Sequence, residues 1–431
     1  MDASNEHPTP APARIDLDRC IHCGLCLNAC PTFRELGVEM DSPRGRIYQM
    51  VQVSSGAMPM GDSYVSHIGL CLACRACETA CPSGVAYGRL VEAAREQIET
   101  ERRRAWPVRL LRNFLFHRLV LSRTLLTIAG VMLYFYQATG LQRLVRATGI
   151  LKLFGTLGKL ERLTPHAEWP FFFRQIGKTF PAEGERRFKV GFLAGCIANV
   201  CFARLNEATV RVLQKNGCEV TVPGGQGCCG ALHAHVGMRE KAQELARRNI
   251  DVFLAGDYDV ILNNAGGCGS TLKEYPELLE HDPAYAEKAR RFRARLKDVN
   301  EFLAGIELNR EMGRFDQVVT YQDSCHLAHG QKVRLAPRKL LREVPGLTLR
   351  EMPFSDQCCG SAGVYNIVQH EMAMAVLDKK MQYANATGAT VIATSNTGCQ
   401  LQLEAGVRMH GCGQRVMHVM QILDEAYREP R

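Results

Sequence analysis

The chain has 431 residues, of which 46% are hydrophobic and 23% are charged, and its formal net charge is +9. This length exceeds what one hydrophobic core usually supports, so we expect a globular protein of two or three domains. The positive charge favours an acidic partner or anionic lipid, but no dense Lys/Arg run with interleaved aromatic residues indicates nucleic-acid binding.

The beginning of the chain and its 19 cysteines bear on the cellular compartment. The residues before the first cysteine, MDASNEHPTPAPARIDLDR, have neither the basic n-region nor the apolar h-region of a secretory signal. We therefore expect a cytoplasmic protein. In a long cytoplasmic chain, clustered cysteines bind metal or iron–sulfur clusters more often than they form disulfides.

Two N-terminal cysteine runs share one spacing. CIHCGLCLNACP and CLACRACETACP both follow C-x2-C-x2-C-x3-C-P, with an offset of 51 residues. Thiolates suit iron–sulfur cubanes, and in two-cluster ferredoxins of this pattern the fourth cysteine of each run ligates the other cluster. Structural zinc, the alternative, takes its ligands from two separated pairs. We predict two 4Fe-4S clusters, the first held by Cys20, Cys23, Cys26 and Cys81 and the second by Cys30, Cys71, Cys74 and Cys77.

A basic and apolar segment follows, from Trp106 to Gly158. Nineteen uncharged residues lie between Arg123 and Arg143, but threonines and glutamines dilute them, so we do not expect a membrane span. Two interpretations stay open, helices packed between domains and a basic amphipathic surface on the membrane interface. Prolines and glycines in residues 163–187 then indicate a linker.

The C-terminal half contains an internal duplication. Four cysteines recur at offsets of 129, 130, 130 and 131 residues, in the order C…CCG…C. We predict these as further cluster ligands, because adjacent thiolates can bind different irons where Gly230 and Gly360 allow the backbone to turn. The two sets are Cys196, Cys228, Cys229 and Cys268, and Cys325, Cys358, Cys359 and Cys399.

Other residues of this half have weaker interpretations. Free buried thiols or a vicinal disulfide are the alternative for the CCG cysteines. Cys201, Cys218 and Cys412 have no counterpart in the other copy, so we leave them as core or accessory thiols. The nearby histidines are predicted to support the ligands from outside rather than to bind iron. They are His233, His235, His326 and His329.

The first copy also contains a literal G-x-G-x-x-G, from Gly225 to Gly230. Gly225 and Gly227 have no glycine counterparts in the second copy, and the next strand-like run lacks the acidic residue of a dinucleotide fingerprint. We therefore predict no NAD site at this turn.

Strand-like and helical stretches alternate through the C-terminal half, which predicts α/β units with parallel sheets. Four of six strand-like runs end at or near a cysteine, where open α/β sheets place ligands. The predicted fold is an α+β multidomain protein, with an α-helical ferredoxin domain followed by a duplicated α/β cysteine-rich (CCG) domain. The predicted ranges are 1–104 for the ferredoxin domain, 105–187 for the helical bridge and linker, 188–310 for the first CCG unit and 311–431 for the second.

These motifs together carry a family resemblance. Duplicated CCG units behind a two-cluster ferredoxin domain resemble the iron–sulfur subunits of glycolate oxidase (glycolate dehydrogenase). GCCGALHAHVG and DSCHLAHGQ point to that branch, whereas the CCG units alone fit its relatives, among them lactate-utilisation iron–sulfur proteins and heterodisulfide reductase. Units of heterodisulfide reductase end in C-x-x-C, and Cys268 and Cys399 lack that second cysteine. Two and four clusters per chain therefore both stay open.

The resemblance implies an electron-transfer subunit. It would carry electrons from a flavoprotein that oxidises glycolate to glyoxylate towards a membrane quinone-type acceptor, with a peripheral contact at the inner face of the membrane. We expect no catalytic residue, flavin or NAD on this chain, which shows no flavin signature. The alternatives are an iron–sulfur subunit for lactate or glycerol-3-phosphate, an enzyme like heterodisulfide reductase, and a scaffold with structural clusters.

Overall fold

The computed structural model describes residue 12, residues 14–151, residues 155, 158 and 161, and residues 163–411 and 413–428. Cys412 lies outside these residues. The described part of the chain contains a helical N-terminal region, a helical bridge and two parallel sheets surrounded by helices.

The N-terminal region is helical between its two cysteine runs. Pro31 and Pro43 each occupy the first turn of a helix, where a missing N–H costs nothing. The longest helix, Tyr87–Glu101, buries Leu90, Val91 and Ala94 against the others, as its amphipathic sequence predicts. The helices are Arg14–Leu17, Pro31–Leu36, Glu39–Asp41 (3-10), Pro43–Ser54, Asp62–Gly69, Ala76–Thr79 and Tyr87–Glu101.

The bridge consists of helices that bury few side chains, among them Phe116 and Leu126. Gly130 allows the longest of them to pack closely, because a Cβ there would lie 2.6 Å from both Phe171 and Val200. Among the described residues no single helix is long and apolar enough to cross a membrane. The segments Trp106–Leu119 and Arg123–Ala138 would be, by length and composition, if taken together, but the chain bends by 104° between them. The helices are Trp106–Asn113, Phe114–Leu119 (π), Arg123–Ala138 and Leu141–Ala147.

The first sheet has five strands in the order β1-β3-β2-β4-β5. The short β1 comes from the predicted linker and pairs antiparallel with β3, whereas the other pairs are parallel. The strands are β1 (Thr179–Phe180), β2 (Phe188–Leu193), β3 (Cys218–Thr221), β4 (Val260–Asn263) and β5 (Leu296–Asp298). The helices are Phe172–Gln175 (3-10), Ala198–Cys201, Ala203–Lys215, Ala231–His235, Arg239–Leu254, Gly266–Lys273, Tyr275–Leu278, Ala286–Arg295 and Val299–Ala304.

The second sheet has four parallel strands in the order β7-β6-β8-β9. Its three strands β7, β6 and β8 repeat the arrangement of β3, β2 and β4. The strands are β6 (Val318–Tyr321), β7 (Thr348–Glu351), β8 (Val391–Thr394) and β9 (Arg415–His418). The helices are His326–Gly330 (π), Leu335–Glu343, Tyr365–Val368, His370–Ala386, Thr397–His410 and Val419–Arg428.

All six strand-like runs of the sequence form strands, but one predicted helix is interrupted. The run RRFRARLKDVNEFLAG, residues 290–305, by its sequence predicts one helix, but the structure places strand β5 between the helices Ala286–Arg295 and Val299–Ala304. Asp298 explains the break, because its side chain caps the second helix through a capping box with Glu301. β5 then completes the edge of the first sheet.

The two CCG units share one core. A single buried cluster includes Val190 and Leu262 of the first sheet and Val319 and Val391 of the second. The C-terminal helix Val419–Arg428 packs on helix Ala203–Lys215 of the first unit, where Asp424 accepts from Arg211 at 2.8 and 2.9 Å. The two CCG units therefore pack against each other through a shared core and an ion pair.

Candidate metal centres

Four cysteines from both N-terminal runs line one cavity. Its empty space is about 290 Å³, and its walls include Cys30, Cys71, Cys74 and Cys77. Cys30 thus lies with the first three cysteines of the other run, as in the predicted second ligand set. All four are buried, and burial raises the pKa of Cys74 and Cys77, so the thiolates require a cation to remain charged.

The cysteine loops adopt unusual backbone conformations. His22, Ala73 and Arg75 have positive φ angles of 54, 51 and 64°, a region that costs energy in residues other than glycine. This bending directs a backbone donor inward, since Ala73 N–H donates to Cys71 Sγ at 3.3 Å. Such N–H groups stabilise thiolates and set cluster potentials.

A buried arginine lies beside this cavity. Arg46 lines it together with the cysteines, and its guanidinium donates to Thr32 Oγ1 at 3.1 Å and to the His67 carbonyl oxygen at 2.7 Å. Burial would lower the pKa of Arg46, but the charges of Cys71 and its neighbours raise it above the ordinary value. The sequence analysis did not single out Arg46, because one arginine in an amphipathic helix carries no signal of burial.

The other predicted ligand set faces solvent. Cys23 is exposed, whereas Cys20, Cys26 and Cys81 are half-buried. The neighbouring apolar side chains Ile21 and Leu25 are 68% and 61% exposed. A group held by this set would therefore lie near the protein surface, with an apolar rim.

In each CCG unit the four cysteine sulfurs form a chain of contacts. Cys196 Sγ lies 3.6 Å from Cys228 Sγ, and side-chain hydrogen bonds continue through Cys229 to Cys268. The second unit repeats the chain through Cys325, Cys358, Cys359 and Cys399. The sheets explain the convergence, because these cysteines follow the carboxyl ends of neighbouring parallel strands.

The two cysteine pairs use the same glycine turn. Gly230 N–H donates to Cys228 Sγ at 3.5 Å, and Gly360 N–H donates to Cys358 Sγ at 3.4 Å. Both glycines have φ near +90°, at 88 and 90°. The turn therefore gives each site one backbone donor and lets adjacent side chains point to different atoms of a ligand.

The thiols of the two units differ in acidity. At the first cysteine of each set the units agree, because a hydrogen bond with the next cysteine, together with burial, raises the pKa of Cys196 and of Cys325. In the second unit a hydrogen bond with Cys325 lowers the pKa of Cys358, and one with Cys359 lowers that of Cys399. The equivalent residue of Cys358 is Cys228, whose pKa is raised, because the hydrogen bond with Cys196 that lowers it is outweighed by a hydrogen bond with Cys229 and by burial.

The four histidines hold the CCG units against the N-terminal region and the bridge. His326 and His329 bond to the Ala73 carbonyl oxygen at 3.0 Å and to Thr79 Oγ1 at 2.8 Å. His235 bonds to Glu92 Oε1 at 2.8 Å, and His233 to the Phe116 carbonyl oxygen at 2.9 Å. Their predicted support of cluster ligands stays a prediction. The structure adds a contact between His326 and the backbone of the second cysteine run, at Ala73.

Arg75 joins the N-terminal region to the first CCG unit, and the sequence analysis did not single it out. Its guanidinium pairs with Glu274, lies 4.0 Å from Glu78 and donates to Ser270 Oγ at 3.3 Å. Burial would lower the pKa of Arg75, but the charges of Glu274 and Glu78 raise it. This buried pair connects the second cysteine run to the first CCG unit.

The donor sets fit iron–sulfur clusters in chemistry. Each set offers four cysteine sulfurs, and a cubane takes one thiolate per iron, so the sulfurs need not converge on one point. Among the described residues, no three His, Cys, Asp or Glu side chains are grouped closely enough to hold a single metal ion.

Family profiles match three parts of the chain. A "4Fe-4S dicluster domain" matches residues 16–85, a "Cysteine-rich domain" matches 190–273 and again 319–404, and "Glycolate oxidase iron-sulfur subunit, linker region" matches 107–164. The chain is 40% identical to the "Probable glycolate oxidase iron-sulfur subunit" of Bacillus subtilis, over 95% of this chain and 94% of the relative. The chain belongs to the family of glycolate oxidase iron–sulfur subunits.

The chain is also similar to two further proteins. The "Glycolate oxidase iron-sulfur subunit" of Escherichia coli is 32% identical over 95% of this chain and 94% of its own length. "Lactate utilization protein A" of Bacillus licheniformis is 30% identical over 55% of this chain and 99% of its own length. As a family member the chain carries a 4Fe-4S dicluster domain and two cysteine-rich domains, and the family's linker region covers most of its bridge helices.

Proposed function

We propose that this protein is the electron-transfer subunit of a glycolate dehydrogenase complex. It receives electrons from a flavoprotein subunit that oxidises glycolate to glyoxylate and passes them towards a membrane quinone-type acceptor. The observation that carries the proposal is the cavity lined by four cysteines from two separate runs, in a chain that belongs to this family. Hydroxyacid chemistry is assigned to the partner chain.

The proposed ligands are the four predicted cysteine sets, one 4Fe-4S cluster for each N-terminal set and one further cluster for each CCG set. Bound clusters supply one-electron carriers. The chain's own residues exclude water from the sulfurs and hold them as thiolates by backbone N–H groups and buried arginine.

The burial of the sets suggests an order for the electron path. The set with exposed Cys23 is the proposed entry from the flavoprotein, because electron transfer between chains requires close approach. The buried set follows, and its Cys74 packs in the same group of buried apolar side chains as Cys358 of the second CCG unit. The route therefore leads from the surface of the N-terminal region into the CCG units.

The bridge is the proposed contact with the membrane. Its apolar side chains remain exposed in the helices Trp106–Asn113 and Arg123–Ala138, with Trp106 at 71%, Leu110 at 64% and Met132 at 69%. Arginines such as Arg109 and Arg118 lie between them, and anionic lipid attracts such residues. We propose a peripheral position at the cytoplasmic face of the membrane.

One experiment tests the function. The chain would be purified anaerobically with its flavoprotein subunits, analysed for iron and acid-labile sulfide, and examined by EPR after glycolate is added. We expect about eight irons if only the ferredoxin sets are filled and about sixteen if each CCG site holds four more. Cluster signals that do not respond to glycolate in the intact complex would contradict the proposal.

Lactate is the second candidate substrate, because the Bacillus licheniformis relative named for lactate utilisation matches 55% of this chain over 99% of its own length. The same complex would be assayed with glycolate, lactate and glycerol-3-phosphate. Preferential reduction of the clusters by lactate would assign the chain to that reaction. Turnover of a disulfide by the isolated chain would instead favour an enzyme like heterodisulfide reductase.

A further inference from the structure

The internal duplication allows the surroundings of the two CCG sites to be compared position by position. A Cβ on Gly230 would meet Ala242, and a Cβ on Gly360 would meet Ala373, so the helices behind the two turns correspond with an offset of 131 residues. The same offset relates Cys268 to Cys399. Differences at equivalent positions are therefore differences between the two sites.

The first difference is a buried charge. Asn249 lies behind the first cysteine pair, and its side chain donates to the Cys228 carbonyl oxygen at 2.9 Å. The equivalent residue behind the second pair is Lys380, which is 1% exposed. Its ammonium group donates to the carbonyl oxygens of Phe354 and Ser355, at 2.8 and 3.1 Å.

The nearby carboxylates are already paired with arginines. Asp323 accepts from Arg338 at 2.7 Å, and Asp356 accepts from Arg334 at 2.9 Å. The positive charge of Lys380 is thus left to act on the buried sulfurs. Cys358 lines the same cavity as Lys380.

The second difference is a hydrogen-bond donor. Asn396 donates from Nδ2 to Cys399 Sγ at 3.2 Å, while its Oδ1 accepts from Gly267 N–H at 3.1 Å. The Gly267 bond fixes which end of the amide faces the sulfur. The equivalent residue of the first unit is Ala265, which has no side-chain donor.

We propose that the second CCG site holds an electron more tightly than the first, because Lys380 and Asn396 favour the more negative, reduced state of a cluster there. The inference rests on the proposed function, in which both CCG sites hold clusters. Net charge and hydrogen bonds to sulfur are the quantities by which a protein sets a cluster potential. The backbone donors of Gly230 and Gly360 are common to both sites and do not distinguish them.

The position of the second site agrees with a role as the collecting point. Cys74 of the buried ferredoxin set and Cys358 pack in one group of buried apolar side chains. A one-electron-reduced ferredoxin cluster is the electron donor in this step, and the second CCG cluster is the acceptor. Lys380 acts as a positioning residue through its charge and touches no substrate.

The first test measures the order of the two potentials. Redox titrations followed by EPR would be run on the anaerobic complex and on the variants Cys229→Ala and Cys359→Ala, each of which removes one CCG cluster and identifies the other. We expect the cluster lost in Cys359→Ala to have the higher potential. Equal potentials or the reverse order would overturn the inference.

The second test removes the two distinguishing groups. Lys380→Met deletes the charge, and Asn396→Ala installs the residue of the first unit. We expect each variant to keep its iron and to bind the electron at the second site more weakly, about tenfold for Lys380→Met, which is about 59 mV for a one-electron couple. Lys379→Met is the control, because this neighbouring lysine is half-exposed and its charge is paired with Glu35 at 2.6 Å.

The outcomes separate the inference from the function on which it rests. A full iron content with an unchanged potential in both variants would overturn the inference alone. An iron content showing no cluster at the second CCG site of the wild-type complex would overturn both the assignment of that site and the inference. If Lys380→Met does not fold, Asn396→Ala and the wild-type order of potentials still decide.

Discussion

At the scale of single residues, cysteines with the same spacing have different surroundings. Cys23 is exposed, whereas Cys74 in the equivalent place of the second run is buried. The spacing predicts both as ligands, because it reports which sulfurs lie on one loop. Burial depends on what packs on that loop, and the second CCG unit covers the second run through His326 and His329.

The exposed cysteine provides the first prediction. Cys23→Ser replaces a thiolate ligand and should remove about four irons per chain, while the CCG units stay folded. The measurement is iron and sulfide content with far-UV circular dichroism. Cys201→Ala is the matched control, since Cys201 lies outside the proposed sets, and an equal iron content in both variants would contradict the ligand assignment.

At the scale of elements, the same glycine turn leaves different space for a side chain in the two CCG units. Gly230 and Gly360 both have a left-handed backbone, but a Cβ on Gly230 would lie 3.4 Å from Ala242 and one on Gly360 only 2.3 Å from the Ala373 carbonyl oxygen. A helix packs close to each turn, and its distance decides what the turn can accommodate.

A matched pair of substitutions tests this difference. Gly230→Ala should cost about 1–2 kcal/mol for the left-handed conformation. Gly360→Ala should cost about 1–3 kcal/mol more, because it also forces the helix His370–Ala386 to move. Anaerobic urea unfolding measures both, and a Gly360→Ala variant no less stable than Gly230→Ala would show that the helix gives way freely.

The bridge helices provide a prediction of their own. Leu110→Glu combined with Leu111→Glu should weaken binding to vesicles that contain anionic lipid by at least about tenfold, because burying each leucine contributes about 1.5–3 kcal/mol. Co-sedimentation measures the binding. Leu335→Glu is the control, since Leu335 is 78% exposed on the second CCG unit. Unchanged binding of the double variant would place the membrane contact elsewhere.

At the scale of the whole molecule, the two CCG units depend on contacts across their boundary. His418 of strand β9 lies between them, with Nε2 donating to the Asn264 carbonyl oxygen at 2.9 Å and Nδ1 accepting from Met420 N–H at 3.1 Å. Both hydrogen bonds form only when the imidazole is neutral, because Nδ1 can accept only when it carries no proton. Burial lowers the pKa of His418 from 6.5 to about 4.

This histidine makes stability depend on pH. Because its pKa is lower in the folded state than in the unfolded state, the unfolded chain binds more protons between pH 6.5 and 4. Stability is therefore retained above pH 6.5 and falls as the pH decreases towards 4, by about 3 kcal/mol in total. His418→Gln cannot titrate and should flatten the loss measured by urea unfolding across this range. An equally steep loss in the variant would assign the effect to other groups.

The sequence by itself determined the cysteine spacing, the duplication and six of the nine described strands, because each depends on local spacing or periodicity. It did not indicate that Leu296–Asp298 forms an edge strand, that the last helix packs on the first CCG unit, or that Cys74 lies beside Cys358. Nor did it distinguish buried Lys380 from half-exposed Lys379. These features depend on contacts between residues far apart in the chain, where packing decides which charge is removed from water.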